Sequence, residues 1–274
     1  YDLFGPTKTS RKGNSISLRY KKNILFDEPR TIDYTVQVAG YANLETLPEF
    51  QNVDATFDKL LSAFGSLNYA NLRRSLGAID SELGTTASLT VRSNFVNSTA
   101  FPRVLAEVNR GTLLPVNHTS LWIRGAVGQS LASNTDDPFA RFFFGGFGNN
   151  WVDHLGVKRF RDPESFAGLE INEIGGANFG KVQAELVLPP LRFRSIGIPS
   201  LYLRWASLSL FASGIVTDFD RETRRREFGN VGGQVDLRLV TASHLNSTIS
   251  FGYAVAAERD GSTSDEIMFS IKVF

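Results

Sequence analysis

Apolar and polar residues alternate with a period of two along most of this chain. In STISFGYAVA, for example, Ile249, Phe251 and Tyr253 are separated by Ser250 and Gly252. Successive side chains of a β-strand point to opposite faces of a sheet, so this alternation is typical of strands with one apolar face. Eleven segments of the chain carry the pattern: residues 14–21, 31–39, 60–72, 86–95, 102–109, 120–128, 181–188, 201–214, 232–240, 247–256 and 265–274. We therefore predict an all-β, antiparallel fold.

The connections between these segments are short at one end of the strands and long at the other. The short ones include TASHLN, LPVNHT, GAIDSE and FDEPR. The long ones include AERDGSTSDE, TDFDRETRRREFGN, residues 133–178 and residues 43–57, and the short VNSTA segment is an exception among them. Tight turns at one rim and long loops at the other are typical of outer-membrane β-barrels. We therefore favour an antiparallel transmembrane β-barrel over a soluble β-sandwich.

In such a barrel the apolar face of each strand contacts lipid, while the polar face lines a hydrated lumen. We expect Val182, Leu237, Phe251 and Ile271 to point outward on this basis. Residues 1–274 would form one barrel portion, whose long loop 133–178 is extracellular or enters the lumen.

Two details depart from a regular barrel: the number of strands is odd, and one strand changes its apolar parity. Single-chain barrels of this class have an even number of strands, so eleven strands indicate either a strand missed within residues 41–83 or a chain that begins in mid-barrel. In LYLRWASLSLFASG, the apolar parity switches between Trp205 and Leu208, which predicts a β-bulge near Ser207.

Composition narrows the classes of function. Lys and Arg total 29 and Asp and Glu total 28, so the bulk charge indicates no nucleic-acid surface. Cysteine is absent, which excludes disulfides and thiolate metal sites. His118, His154 and His244 lack the spacing of metal ligands, and no nucleophile elbow is present. We therefore expect no catalytic residues, no metal and no cofactor. The arginines of TDFDRETRRRE belong either to a solvated loop or to a site that contacts lipopolysaccharide phosphates.

The stretch FFFGGFGNNWVDHLGVKRFRDPESFAGLEINEIGGANFGKVQAELVLPPLRF adds a family likeness. It resembles the long sixth extracellular loop and the following strand of the BamA-type superfamily of outer-membrane insertases and translocases, also called the bacterial surface antigen family. That family has five strands after this loop, and five predicted strands follow residue 178 here. The matching positions are Gly175, Gly176 and Asn178 of the family's turn, Glu185 of the next strand, Phe211 and Gly214 of the strand after it, and the C-terminal assembly strand with Ile267, Phe269, Ile271, Val273 and Phe274.

The loop tip departs from the family pattern, which is Val-Arg-Gly-aromatic. The corresponding residues here are Val157, Lys158, Arg159 and Phe160, and Ala212 stands where the family has an aspartate on the barrel wall. The resemblance implies an ion pair between loop and wall. We expect a substitute in which Lys158 or Arg159 meets one of the lumen-facing carboxylates. The candidate lumen-facing partners are Glu185 and Asp236, and Arg238 shares their face by alternation. Phe274 falls on the polar-face parity of its strand.

The resemblance also implies a sixteen-stranded barrel that acts in protein insertion or polypeptide translocation at the outer membrane of a Gram-negative bacterium. The implied partners are outer-membrane lipid and lipopolysaccharide, the outer-membrane assembly machinery, and unfolded polypeptide clients or upstream periplasmic domains. The alternatives are a barrel that anchors or secretes an upstream domain and a passive porin, whose lumen would not be plugged by residues 133–178.

Overall fold

The fold is all-β, as the alternating pattern predicts. The computed structural model describes residues 12–45, 47–50, 53–55, 57–148, 152–153, 156–242 and 244–273. This part of the chain contains seventeen strands and two short 3₁₀ turns, Pro138–Ala140 and Arg159–Arg161. None of its segments is a helix with the length and apolar character that crossing a membrane requires.

The strands are β1 (Asn14–Asp27), β2 (Arg30–Ala42), β3 (Leu47–Phe50), β4 (Val53–Ala55), β5 (Leu60–Arg73), β6 (Leu83–Val96), β7 (Thr99–Leu113), β8 (Ser120–Ser130), β9 (Phe142–Phe144), β10 (Val152–Asp153), β11 (Ile174–Gly176), β12 (Asn178–Val187), β13 (Leu191–Ile198), β14 (Leu201–Thr217), β15 (Arg226–Thr241), β16 (Leu245–Glu258) and β17 (Thr263–Val273).

Thirteen of these strands form one sheet. Its order is β1-β2-β5-β6-β7-β8-β12-β14-β15-β16-β17-β10, and β13 pairs with β14 beside this path. All neighbouring strands are antiparallel except the two-residue β10, which runs parallel to β17. The eleven long strands of the path are the eleven segments predicted from the sequence, so that prediction is confirmed. Within the described residues, β1 and β17 do not pair with each other.

Apolar and polar side chains of the strands differ in their exposure. On β12, the side chain of Val182 is 59% exposed, whereas its neighbour Gln183 is buried and Glu185 is completely buried. On β16, Phe251 is about half exposed, whereas Ser250 is completely buried. On both strands the apolar side chains point away from the protein, and the polar side chains are covered.

The described part of the long loop between β8 and β12 (residues 131–148, 152–153 and 156–177) covers the polar face. Three groups of apolar side chains hold it there. One packs Phe139, Ala140 and Phe143 of the loop against residues of β5, β6 and β7, namely Leu60, Val96 and Phe101. At the rim of the long loops, loop residues pack against side chains of β12, β14, β15 and β16; this group comprises Phe142, Phe144, Phe166, Leu169, Ile174, Phe179, Ile215, Phe228 and Ala256. Deeper along the strands, Phe160 of the loop stacks on Phe211 of β14, with ring centroids 4.5 Å apart. Phe147 meets the same ring edge to face.

Glycines allow the loop and the sheet to approach closely at two points. Gly168 of the loop has φ = +98°, and a Cβ there would lie 2.7 Å from the backbone nitrogen of Ala256. On β16, Gly252 provides the space for the ring of Phe147. A larger side chain at either position would push the loop off the sheet.

The predicted asymmetry of the connections holds only in part. The loops 43–59, 131–177 and 218–225 lie at one rim, and the tight turns 28–29 and 242–244 lie at the other. The β16–β17 connection, expected to be long, spans only residues 259–262, because the flanking residues extend the two strands.

The β-bulge of β14 lies earlier than predicted. The register against β15 shifts between Leu203 and Trp205, which places the extra residue at Arg204 rather than near Ser207. The change of apolar parity alone cannot locate a bulge, because any residue between the two parities can absorb the shift. The hydrogen-bond register with the neighbouring strand fixes its position.

We predict that Gly252→Val destabilises the protein by about 1–3 kcal/mol, because overpacking forces neighbours to move. A Cβ at this position would lie 2.7 Å from the Phe147 ring. The matched control is Gly180→Val on the exposed face of β12, where a Cβ would meet nothing within 4 Å. Urea unfolding of both variants measures the difference. Equal destabilisation would contradict the placement of the loop on the polar face.

Candidate functional site

The tip of the long loop is tied to the sheet by a buried ion pair. The guanidinium of Arg161 contacts the carboxylate of Glu185 on β12 with both of its ends, with Nη2–Oε1 at 2.7 Å and Nε–Oε2 at 2.9 Å. Arg124 of β8 adds a second cation, with Nη2–Oε2 at 3.0 Å. The Glu185 carboxylate is completely buried. Because a buried charge is costly unless it is paired and hydrogen-bonded, this carboxylate fixes both arginines.

The ion pairs of the tip differ from those expected. Lys158 pairs with Asp80 at 2.9 Å, and Arg159 pairs with Asp162 within the loop. Neither forms an ion pair with Glu185 or Asp236, and Arg161 is the residue that reaches the wall. The 3₁₀ turn Arg159–Arg161 explains this, because a 3₁₀ turn has three residues per turn and Arg159 and Arg161 therefore point in different directions. Lys158, which precedes the turn, and Arg161 both contact Asp80.

Asp80 binds the loop tip at the rim of the tight turns, opposite the rim from which the long loop starts. It lies in the turn 74–82 between β5 and β6, where it accepts from both Lys158 and Arg161. Burial acts to raise the pKa of Asp80, but the charges of Lys158 and Arg161 outweigh it and hold that pKa below its ordinary value. A lowered carboxylate pKa means that this attraction is fully present above the ordinary pKa of aspartate. It is lost only as the pH falls through the lowered value.

The turn that carries Asp80 is itself clasped to its neighbour. His118, in the turn between β7 and β8, places its Nδ1 2.7 Å from the Oε1 of Glu82. The hydroxyl of Ser75 donates to the same carboxylate. Burial acts to raise the pKa of Glu82, but hydrogen bonds from Ser75 and His118 outweigh it and lower that pKa. The clasp fixes the turn against which the loop tip rests.

Polar side chains of the sheet also bind the backbone of the loop. The ammonium of Lys181 donates to the carbonyl oxygens of Asp162 and Pro163 at 2.9 and 3.2 Å, and also to that of Ser165. Further along the face, three side-chain amides also donate hydrogen bonds to backbone carbonyl oxygens of the loop. Gln183 donates to Phe160, Asn230 to Ala167, and Gln234 to Val157. The covered face is therefore a surface built to hold this loop.

Asp236 and Arg238 of β15 lie beside the tip. Asp236 is completely buried, and its Oδ1 accepts from Gln234 and Ser250, each at 2.7 Å. Its Oδ2 has no hydrogen-bond partner in the described part of the chain. The guanidinium of Arg238 donates to the hydroxyl of Thr248 at 3.0 Å. Both residues line a cavity of about 560 Å³ beneath the tip.

The Gly175–Asn178 segment ends the loop and fixes it to the 218–225 loop. Gly175 and Gly176 lie in β11, which pairs with β9, and Asn178 begins β12. The Nδ2 of Asn178 donates to Asp220 at 2.6 Å, and its Oδ1 accepts from the backbone of Phe219. These bonds join two loops at the same rim.

The C-terminal strand β17 also has an exposed apolar face and a buried polar face. Ile267 is 80% exposed and Phe269 packs on Phe251, with ring centroids 5.1 Å apart. Ile271 and Val273 continue this apolar face and are partly exposed. Ser270 and Lys272, on the other face, are completely buried. Phe274 and His154 lie outside the described residues.

The outer edge of β17 is partly occupied by the long loop. The two residues of β10 pair with it in parallel, Val152 with Ile271 and Asp153 with Lys272.

Among the described residues, no group of three or more histidine, aspartate or glutamate side chains is arranged to hold a metal ion. The network around Glu185 joins charges in fixed pairs and holds the long loop on the sheet. Comparison with known proteins found no family model and no curated protein that matches this chain. The likeness to the BamA-type superfamily therefore rests on the sequence motifs.

We predict that Arg161→Ala destabilises the protein by about 3–5 kcal/mol, because it removes one of two partners from a buried carboxylate. The control is Arg159→Ala, whose partner Asp162 is 40% exposed and whose loss should cost less than about 1 kcal/mol. A double-mutant cycle with Glu185→Gln, measured by urea unfolding, gives the coupling energy. Similar losses for the two arginine variants, or a coupling near zero, would contradict the assignment.

Proposed function

We propose that this chain forms part of the wall of a transmembrane β-barrel in the outer membrane of a Gram-negative bacterium. We further propose that the barrel acts in the insertion of outer-membrane proteins or the translocation of polypeptides. The observation that carries the proposal is the exposure pattern of β12, β15 and β17. Val182, Val231 and Ile267 on these strands face outward, whereas Glu185, Asp236 and Lys272 are completely buried.

The extent of the outward apolar face supports a lipid environment. Exposed apolar patches larger than a few hundred Å² mark membrane or protein interfaces. Here large apolar side chains are exposed on strand after strand, including Val108, Val127, Val182, Val231, Phe251, Tyr253 and Ile267. The strands from β12 to β17 on the main path are 10 to 17 residues long. A strand of about 9–11 residues suffices to cross the hydrocarbon layer.

A sheet in lipid must close, because every backbone donor and acceptor there needs a partner. In the proposed barrel, further strands would join β1 to β17 and close the ring. The resemblance implies five such strands, which would make sixteen in total.

The loop over the polar face favours polypeptide handling over a passive porin. Residues 131–177 occupy the face that would line a channel, and the buried pair Arg161–Glu185 holds them there. The sheet also presents edges to which an extended chain can add by main-chain hydrogen bonds. All fourteen residues of β1 are exposed, and β10 pairs with only two residues of β17.

The proposal is tested with the whole barrel, including the strands that close the sheet, reconstituted in lipid vesicles. We expect it to float with the vesicles, to conduct little current in bilayer recordings, and to speed the folding of a urea-unfolded outer-membrane barrel client. Phe251→Arg, in the middle of β16, should abolish insertion, because an arginine at the bilayer midplane costs about 2–4 kcal/mol.

Leu245→Arg is the matched control, because it introduces the same charge at the first residue of the same strand. Its cost near the membrane surface should be about 0–1 kcal/mol. Equal insertion of both variants would overturn the membrane assignment. A large, steady conductance would instead favour the porin.

A further inference from the structure

A positively charged cavity opens beneath the loop tip, at the rim of the tight turns. Its volume is about 560 Å³, which lies in the range of small-ligand pockets. Five basic side chains line it against two carboxylates. The basic residues are Lys158, Arg161, Arg192, Arg204 and Arg238, and the acidic residues are Asp80 and Asp236.

Internal ion pairs do not use all of this positive charge. Lys158 and Arg161 are paired with acidic groups. The side chain of Arg204 makes no hydrogen bond or ion pair with any residue in the described ranges, and its charge repels that of Arg238. Two neighbouring guanidinium groups that repel each other are stabilised when an anion lies between them, and a carboxylate matches their fork of donors.

The β-bulge brings Arg204 into this position. Consecutive residues of a regular strand point to opposite faces, yet Arg204 and Trp205 both line the cavity. The register shift between Leu203 and Trp205 makes this possible. Bulges occur preferentially where a side chain must be redirected towards a site.

Asp236 adds a second requirement on the ligand. Asp236 lines the same cavity, and its buried Oδ2 has no hydrogen-bond partner among the described residues. A free phosphate would be repelled by this carboxylate, whereas a ligand with both a carboxylate and an N–H donor would satisfy both groups. The indole of Trp205 and the side chains of Ile79 and Val157 offer apolar surface between them.

We propose that this cavity binds an acidic segment of an unfolded polypeptide. Arg204 and Arg238 bind a side-chain carboxylate of the segment, and Asp236 accepts a hydrogen bond from one of its N–H groups. This inference rests on the proposed function, because the tight turns of an outer-membrane barrel face the periplasm, where unfolded clients arrive.

The test measures fluorescence anisotropy of a labelled ten-residue peptide of alternating serine and glutamate, added to the full protein folded in detergent micelles. We expect the peptide to bind and its serine–glutamine counterpart not to bind. Arg204→Gln should weaken binding at least about tenfold, because it removes hydrogen bonds between charged groups. Arg204→Lys keeps the positive charge but lacks the planar set of guanidinium donors, so it should weaken peptide binding less than Arg204→Gln does.

Arg259→Gln is the control, since it removes the same charge from the opposite rim, where the side chain is 73% exposed. An equal loss in this variant, or equal binding of the glutamine peptide, would overturn the site. Inorganic phosphate or glycerol phosphate that displaces the peptide at equal concentration would show a simple anion site and overturn the polypeptide assignment. Flotation with vesicles is measured on the same preparation. Insertion without peptide binding overturns this inference alone, whereas failure to insert overturns the proposed function.

Discussion

A charge removed from water must be neutralised by a partner, and this rule ties the long loop of the protein to its sheet. The carboxylate of Glu185 is completely buried in the covered face. It is held by Arg161 from the loop and by Arg124 from the neighbouring strand. Without the loop, Glu185 would lose the partner that contacts both of its oxygens. The loop and the polar face are therefore complementary, and the apolar side chains of the same strands are left to face outward.

The side chains of the covered face change in character from the rim of the long loops to the rim of the tight turns. Aromatic side chains such as Phe144 and Phe166 fill it beneath the long loops, and the ring of Phe160 on Phe211 marks its middle. The ion pairs follow, and the cavity lined by Arg204 lies at the rim of the tight turns. This order anchors the loop by close packing at its base and by charge at its tip. The tip lies next to the cavity, so an occupant of the cavity would contact the groups that hold the tip.

Alternation predicts the eleven long strands, because a period of two depends only on neighbouring residues. The short connections between them indicate antiparallel neighbours. The contacts of the loop could not be predicted in this way. The choice of Arg161 over Arg159 depends on a 3₁₀ turn of three residues, and the family pattern ends one residue earlier, at Phe160. The position of the bulge at Arg204 likewise depends on hydrogen bonds to β15. In both cases the position depends on residues distant in sequence: Glu185 for Arg161, and strand β15 for the bulge.

The central claim is that the apolar face of the sheet contacts lipid while the polar face is enclosed. The chain contains no cysteine, so single cysteines can be introduced at each position from 249 to 256 of β16. Each variant is reconstituted in vesicles, labelled with a nitroxide, and measured by electron paramagnetic resonance for collisions with oxygen and with a water-soluble nickel chelate. The account predicts an oxygen-rich, lipid-like signal at residues 249, 251, 253 and 255 and a low signal for both reagents at the residues between them. High exposure to the nickel chelate at the odd-numbered residues would contradict it.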